Sequence, residues 1–249
     1  MNTWAYTLLS VLLVSLLSFI GIITLVFKAK TLKHILLYLV SFSAGALFGD
    51  AFLHLLPESV EKLGFGVSVS LLILSGIVFS LLIEKFIHWR HCHIPPSKEH
   101  VHPFAMMNLL GDATHNFIDG ILIAASYLAS IPLGIATTLA VVLHEIPQEL
   151  GDFGVLLHGG FSRKKALFMN FLTALTAVLG AVLTLSLSSH IQNLALYLVP
   201  FAAGEFIYIA GSDLIPELHK EVAVKKSVLQ VGMFILGIVI MALLLVLKI

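Results

Sequence analysis

The chain is written as long apolar runs broken by short polar stretches. A helix needs about 20 apolar residues to cross about 30 Å of hydrocarbon. Runs of that length occupy residues 3–27, 35–56, 66–88, 104–128, 132–159, 165–187, 193–218 and 227–248. The pattern predicts an all-α integral membrane protein with eight transmembrane helices, forming a single transmembrane domain over residues 1–249. The first run is too long for a signal-peptide core, lacks a basic leader and has no small-residue cleavage site, so it is expected to stay as a helix.

The polar breaks orient these helices. Lys28, Lys30 and Lys33, then Lys85, Arg90 and Lys98, then Arg163, Lys164 and Lys165, then Lys220, Lys225 and Lys226 fall in alternate connections. Only Lys62 and Lys248 lie on the other side. Because Lys and Arg stay cytoplasmic, loops 28–34, 89–103, 160–165 and 219–226 are expected inside and both termini extracytoplasmic.

A second regularity runs through the same pattern. Phe42, Ala44, Gly45, Ala51, Leu55, Pro57 and Glu58 recur 159 positions later as Phe201, Ala203, Gly204, Ala210, Leu214, Pro216 and Glu217. Chance matches of Ala and Leu are common, but Gly, Pro and Glu at one offset are not. The second and seventh spans are an odd number of crossings apart, so the two copies are expected to run in opposite directions. Such inverted repeats are a transporter design, and motivate an alternating-access mechanism in which spans four and five, with one and six, move against two, three, seven and eight.

Composition agrees with a lipid environment: 59% of residues are hydrophobic and 11% charged, against about 25% charged in soluble domains. Lys plus Arg equal Asp plus Glu at 14 each, so no nucleic-acid partner is indicated. The lone cysteine, Cys92, excludes an internal disulfide, and helix packing must hold the fold.

Ionisable groups inside a bilayer are costly, so they face a bundle interior or an aqueous path. Here they cluster. Asp112, His115, Asn116 and Asp119 share one face of the fourth span, and His144, Glu145, Gln148, Glu149 and Asp152 form two adjacent stripes on the fifth. Imidazole, carboxylate and amide donors suit Zn²⁺, Fe²⁺, Mn²⁺ or Cd²⁺, whereas copper(I) would want sulfur. Pro147, with Gly111, Gly120, Gly151 and Gly154, is expected to unwind the backbone beside these donors and to free the Leu143 carbonyl. His158, His190 and Glu205 read as side chains bonded across helices. Asp50, His54, Glu58, Asp213 and Glu217 fit either an access route or helix ends near water. His91, Cys92, His93, His100 and His102 make a His-rich cytoplasmic loop over 89–103, suited either to metal capture or to a flexible linker.

Two stretches carry a family resemblance. His115, Asn116, Phe117, Asp119 and Gly120 resemble the HNFxDG signature of the ZIP divalent metal transporters, and His144 to Asp152 resembles HExPHExGD of their LIV-1 branch. The GDAFLHLLP stretch from Gly49 to Pro57, the NFLTAL stretch from Asn170 to Leu175 and the seventh-span copy extend the likeness over essentially the whole chain.

That resemblance implies inverted repeats of helices 1–3 and 6–8 around a central pair 4–5, homodimers in the lipid bilayer, and movement of zinc toward the cytoplasm, with iron, manganese or cadmium as alternatives. It also implies a binuclear metal site between helices 4 and 5. His115, Asp119, His144 and Gln148 would form one site; Asn116, Glu145 and Glu149 would form or bridge to its neighbour, with Asn170 as an added ligand. Position 148 departs from the family, which usually has histidine there; an amide oxygen is a weaker zinc donor than imidazole. From the short chain a prokaryotic plasma (inner) membrane is expected, with an organelle membrane as the alternative. Two other readings remain open: an intramembrane zinc hydrolase, because residues 144–148 nearly spell HExxH, and a metal-sensing membrane protein.

Overall fold

The computed structural model describes residues 3–25, 29–89, 103–158, 160–191 and 193–247. The His-rich tract, with His91, Cys92, His93, His100 and His102, lies outside the described residues. Eleven helices are described: α1 (Thr3–Leu16), α2 (Ala29–Asp50), α3 (Leu56–Leu63), α4 (Val67–Trp89), α5 (Pro103–Ala129), α6 (Ile131–His158), α7 (Arg163–Ala174), α8 (Thr176–Ser188), α9 (Leu194–Tyr208), α10 (Ile215–Leu218) and α11 (Val224–Leu247). Several join end to end, α1 continuing through a 3₁₀ stretch, Leu17–Leu25, and α2 into α3 through a π turn, Ala51–Leu55.

Among the described residues, seven helical stretches are long and apolar enough to cross a membrane: Thr3–Ile23, Leu37–Leu63, Val67–Phe86, Ile131–Leu157, Arg163–Ser188, Leu194–Leu218 and Val224–Val246. The run expected at 104–128 is a continuous 27-residue helix, α5, but Asp112, His115, Asn116 and Asp119 dilute its apolar character. The burial pattern is that of a multi-span membrane protein. Leu71, Leu82, Leu179, Ile235 and Leu243 are exposed, while Asp50, Asn116, Asp119, Glu145, Glu149 and Asn170 are fully buried. A soluble protein sorts these classes the other way.

Close helix crossings use glycine against glycine. A Cβ on Gly45 of α2 would lie 2.0 Å from the Phe234 carbonyl oxygen, and one on Gly237 of α11 would lie 2.2 Å from that of Phe42. The same arrangement joins α4 to α9, through Gly76 and Gly204, and α5 to α8, through Gly120 and Gly180. Lipid offers no hydrophobic gain for helix pairing, so small residues that let backbones meet supply the contact. Gly45 and Gly204 are repeat equivalents, yet one pairs with α11 and the other with α4, so the two copies cross-connect. The breaks recur as well: α1 ends at Leu16 and α7 at Ala174, within one residue of the repeat offset, and Ser15 Oγ donates to the Ala174 carbonyl at 2.8 Å.

The irregular backbone is not where the sequence reading puts it. α6 runs unbroken through Pro147. Ser43 Oγ of α2 donates to the Leu143 carbonyl at 2.5 Å, which supplies the donor that the proline lacks. The π turns lie instead at Ala51–Leu55 and Ile209–Leu214, just before Pro57 and Pro216. The Leu56 N–H bonds to the Ala51 carbonyl and the Ile215 N–H to that of Ala210, the same bond in both copies.

Candidate metal centre

α5 and α6 pack along their lengths and bring their polar stripes face to face. His115 Nε2 lies 3.1 Å from His144 Nε2 and 3.3 Å from Glu145 Oε1. Asp119 Oδ2 lies 3.2 Å from His144 Nε2 and 3.8 Å from His115 Nε2, and His144 Nε2 is 3.6 Å from Glu145 Oε1. A tetrahedron of about 2.0–2.1 Å bonds has donor-to-donor edges of about 3.3 Å. Two imidazole nitrogens and two carboxylate oxygens thus lie within 4.8 Å of one another, and the five separations that involve an imidazole nitrogen are near that edge length.

The surroundings orient this group. His144 Nδ1 lies 3.2 Å from the Ala140 carbonyl oxygen; donating there leaves the Nε2 lone pair facing the centre. Among the described residues neither oxygen of Asp119 or Glu145 has a hydrogen-bond partner, and the imidazoles are the groups that face the two buried carboxylates. Asp119, His144 and Glu145 are buried, whereas the His115 side chain keeps 21% exposure and lines a cavity of about 150 Å³.

A second polar layer lies one turn away. Asn116 Nδ2 donates to Asp112 Oδ1 at 2.8 Å, Thr173 Oγ1 donates to Asp112 Oδ2 at 2.5 Å, and Asn108 Nδ2 donates to Asp152 Oδ1 at 2.9 Å. Asn170 of α7 donates to Glu149, and Gln148 reaches toward Asp112. Among the described residues Asn116 Oδ1, Glu149 Oε1, Asp152 Oδ2 and Asn170 Oδ1 have no hydrogen-bond partner, and all four are buried. Buried acceptors left unpaired are expensive, and a cation among them would relieve the cost.

Comparison with known proteins fixes the family. A sequence model of the family described as ZIP Zinc transporter matches residues 1–104 and 96–245. The chain belongs to the ZIP zinc transporter family. Zinc transporter ZIP13 of Pongo abelii is 34% identical over 265 residues, covering 98% of this chain and 79% of that protein. The Mus musculus ZIP13 is 31% identical, covering 98% and 81%. Zinc transporter SLC39A7 of Homo sapiens is 30% identical, covering 96% and 70%.

Within this ZIP chain the structure gathers His115, Asp119, His144 and Glu145 into one group, with Asn116, Gln148 and Glu149 in the adjoining layer. Four contributors to that layer, Asn108, Asp112, Asp152 and Thr173, are outside the metal set read from the sequence, although Asp112 and Asp152 belong to its polar stripes. The i, i+4 spacing from Asn108 to Asp112 on the polar face of α5 was the available signal.

Among the outlying residues, Glu205 is buried and accepts from Ser80 across helices, and His190 is exposed in the turn after α8. The side chains of His158 and Asp213 lie outside the described residues. His54 Nδ1 is 3.3 Å from Asp50 Oδ1, both buried. Glu58 lines a pocket of about 380 Å³ where α3 faces α9, and exposed Glu217 accepts from Lys220.

Proposed function

We propose that the chain moves zinc across a lipid bilayer toward the cytoplasm, with the ion held between α5 and α6 by His115, Asp119, His144 and Glu145. The convergence of these four donor atoms at zinc-like spacings carries the reading, and family membership supports it. Asn116, Gln148, Glu149 and Asn170 contribute to a neighbouring site, whose unpaired oxygens suit a second divalent ion. Iron, manganese and cadmium fit the same donor classes.

Transport proceeds by alternating access. α1, α5, α6, α7 and α8 form one packed group, and α2, α4, α9 and α11 another, joined through α2 with α6 and α5 with α9. The glycine crossings and the doubled π turns support an inverted repeat of spans 1–3 and 6–8, with α5 counted as the fourth of eight spans. Both termini are extracytoplasmic, as the distribution of Lys and Arg favours. The exposed apolar faces of α4 and α11 meet lipid or a second copy in a homodimer, in the plasma membrane.

The donor geometry does not favour hydrolysis. Glu145, which would be the general base of an HExxH enzyme, turns Oε1 toward the two imidazoles, and Gln148 replaces the second histidine. Purified protein in liposomes with a trapped metal indicator tests the function. Entry of zinc, alone or with iron, manganese or cadmium, is the expected result; tight metal binding with no entry of any of them contradicts transport.

A further inference from the structure

Glu205 and Glu84 lie on one cavity outside the four-donor group. Glu205 of α9 is 2% exposed; one of its oxygens accepts from Ser80 of α4 and the other, Oε1, is buried with no hydrogen-bond partner. Glu84, one turn beyond Ser80, accepts from Tyr208 of α9. Both residues line the cavity of about 150 Å³ that His115 also lines, and among the described residues no Lys or Arg lines it.

The buried Glu205 oxygen without a hydrogen-bond partner is costly, and a cation entering the cavity would relieve that cost. At about 30 Å³ per water, the volume suits a divalent ion keeping a few waters. Oxygen donors alone hold zinc more weakly than a set with two imidazoles, and an ion in passage needs stops it can leave. The two carboxylates also sit on a different helix group from the one that carries His115, so a shift between groups changes their separation from the main site.

We propose that this cavity is a waypoint, where Glu205 and Glu84 hold a partly hydrated divalent cation beside His115 as it passes to or from the four-donor group. The proposal rests on the reading of that group as the transported ion's site. Zinc flux into liposomes and equilibrium zinc binding are compared for the unaltered chain, Glu205→Gln, Glu84→Gln and His144→Ala. The carboxamide variants are expected to lose about tenfold in flux and one weakly bound zinc, while keeping the tightly bound zinc. Retained tight binding also certifies that each variant is folded; if Glu205→Gln lacks it, Glu84→Gln decides alone. His144→Ala is expected to lose both tight binding and flux, which tests the underlying site separately. Unchanged flux and weak binding in the folded carboxamide variants, with His144→Ala inactive, would overturn the waypoint and leave the proposed function standing.

Discussion

At the scale of single residues, the cluster stands out because each ionisable group in a membrane span is an anomaly that needs a reason. Periodicity places residues on faces but does not aim side chains, which is why the sequence puts Glu145 with Glu149 while its Oε1 joins His115 and His144 in space. The cavity beside Glu205 is likewise invisible in a string of letters; sequence reasoning gives only that Glu205 bonds across helices, not that Ser80 is its partner. X-ray absorption on the zinc-loaded chain should report two imidazole nitrogens with two oxygens at about 2.0–2.1 Å; an all-oxygen shell would contradict the assignment. Gln148→His replaces an amide beside Asp112 with a stronger zinc donor, and competition flux should then shift toward zinc over manganese; a shift the other way counts against a role for position 148.

At the scale of helices, the order and type of elements follow directly from the apolar runs, whereas the local breaks do not. A proline inside a membrane helix reads as a kink, yet Ser43 on another helix compensates Pro147, and no pattern within α6 announces a donor so distant in sequence. Ser43→Ala removes that bond and should lower stability by about 1–3 kcal/mol, read from thermal unfolding in detergent; an unchanged melting temperature would show that the bond contributes nothing. The glycine crossings make a sharper contrast. Gly204→Ala puts a methyl group 2.0 Å from the Ile73 carbonyl oxygen, an overpacking that costs about 1–3 kcal/mol. Gly232→Ala meets nothing within 4 Å and gains up to about 1 kcal/mol of helix propensity. Equal effects of the two would mean that the crossings are not close-packed.

At the scale of the whole molecule, the repeat is legible from Gly45, Pro57 and Glu58 and their copies, but its cross-connection, α2 to α11 and α9 to α4, is a tertiary fact with no local signal. The orientation rests on basic residues, and Cys92 offers a direct check because it is the sole cysteine. An impermeant maleimide added to intact cells should leave it unlabelled until the membrane is opened; labelling of intact cells would reverse the topology. The proposed transport centres on one point in the molecule, where two helices bring four donors together. The decisive measurement is therefore zinc entry into liposomes carrying either the unaltered chain or His144→Ala at equal protein density. Entry by the first and none by the second is the predicted result; equal entry by both would contradict passage of zinc through this centre.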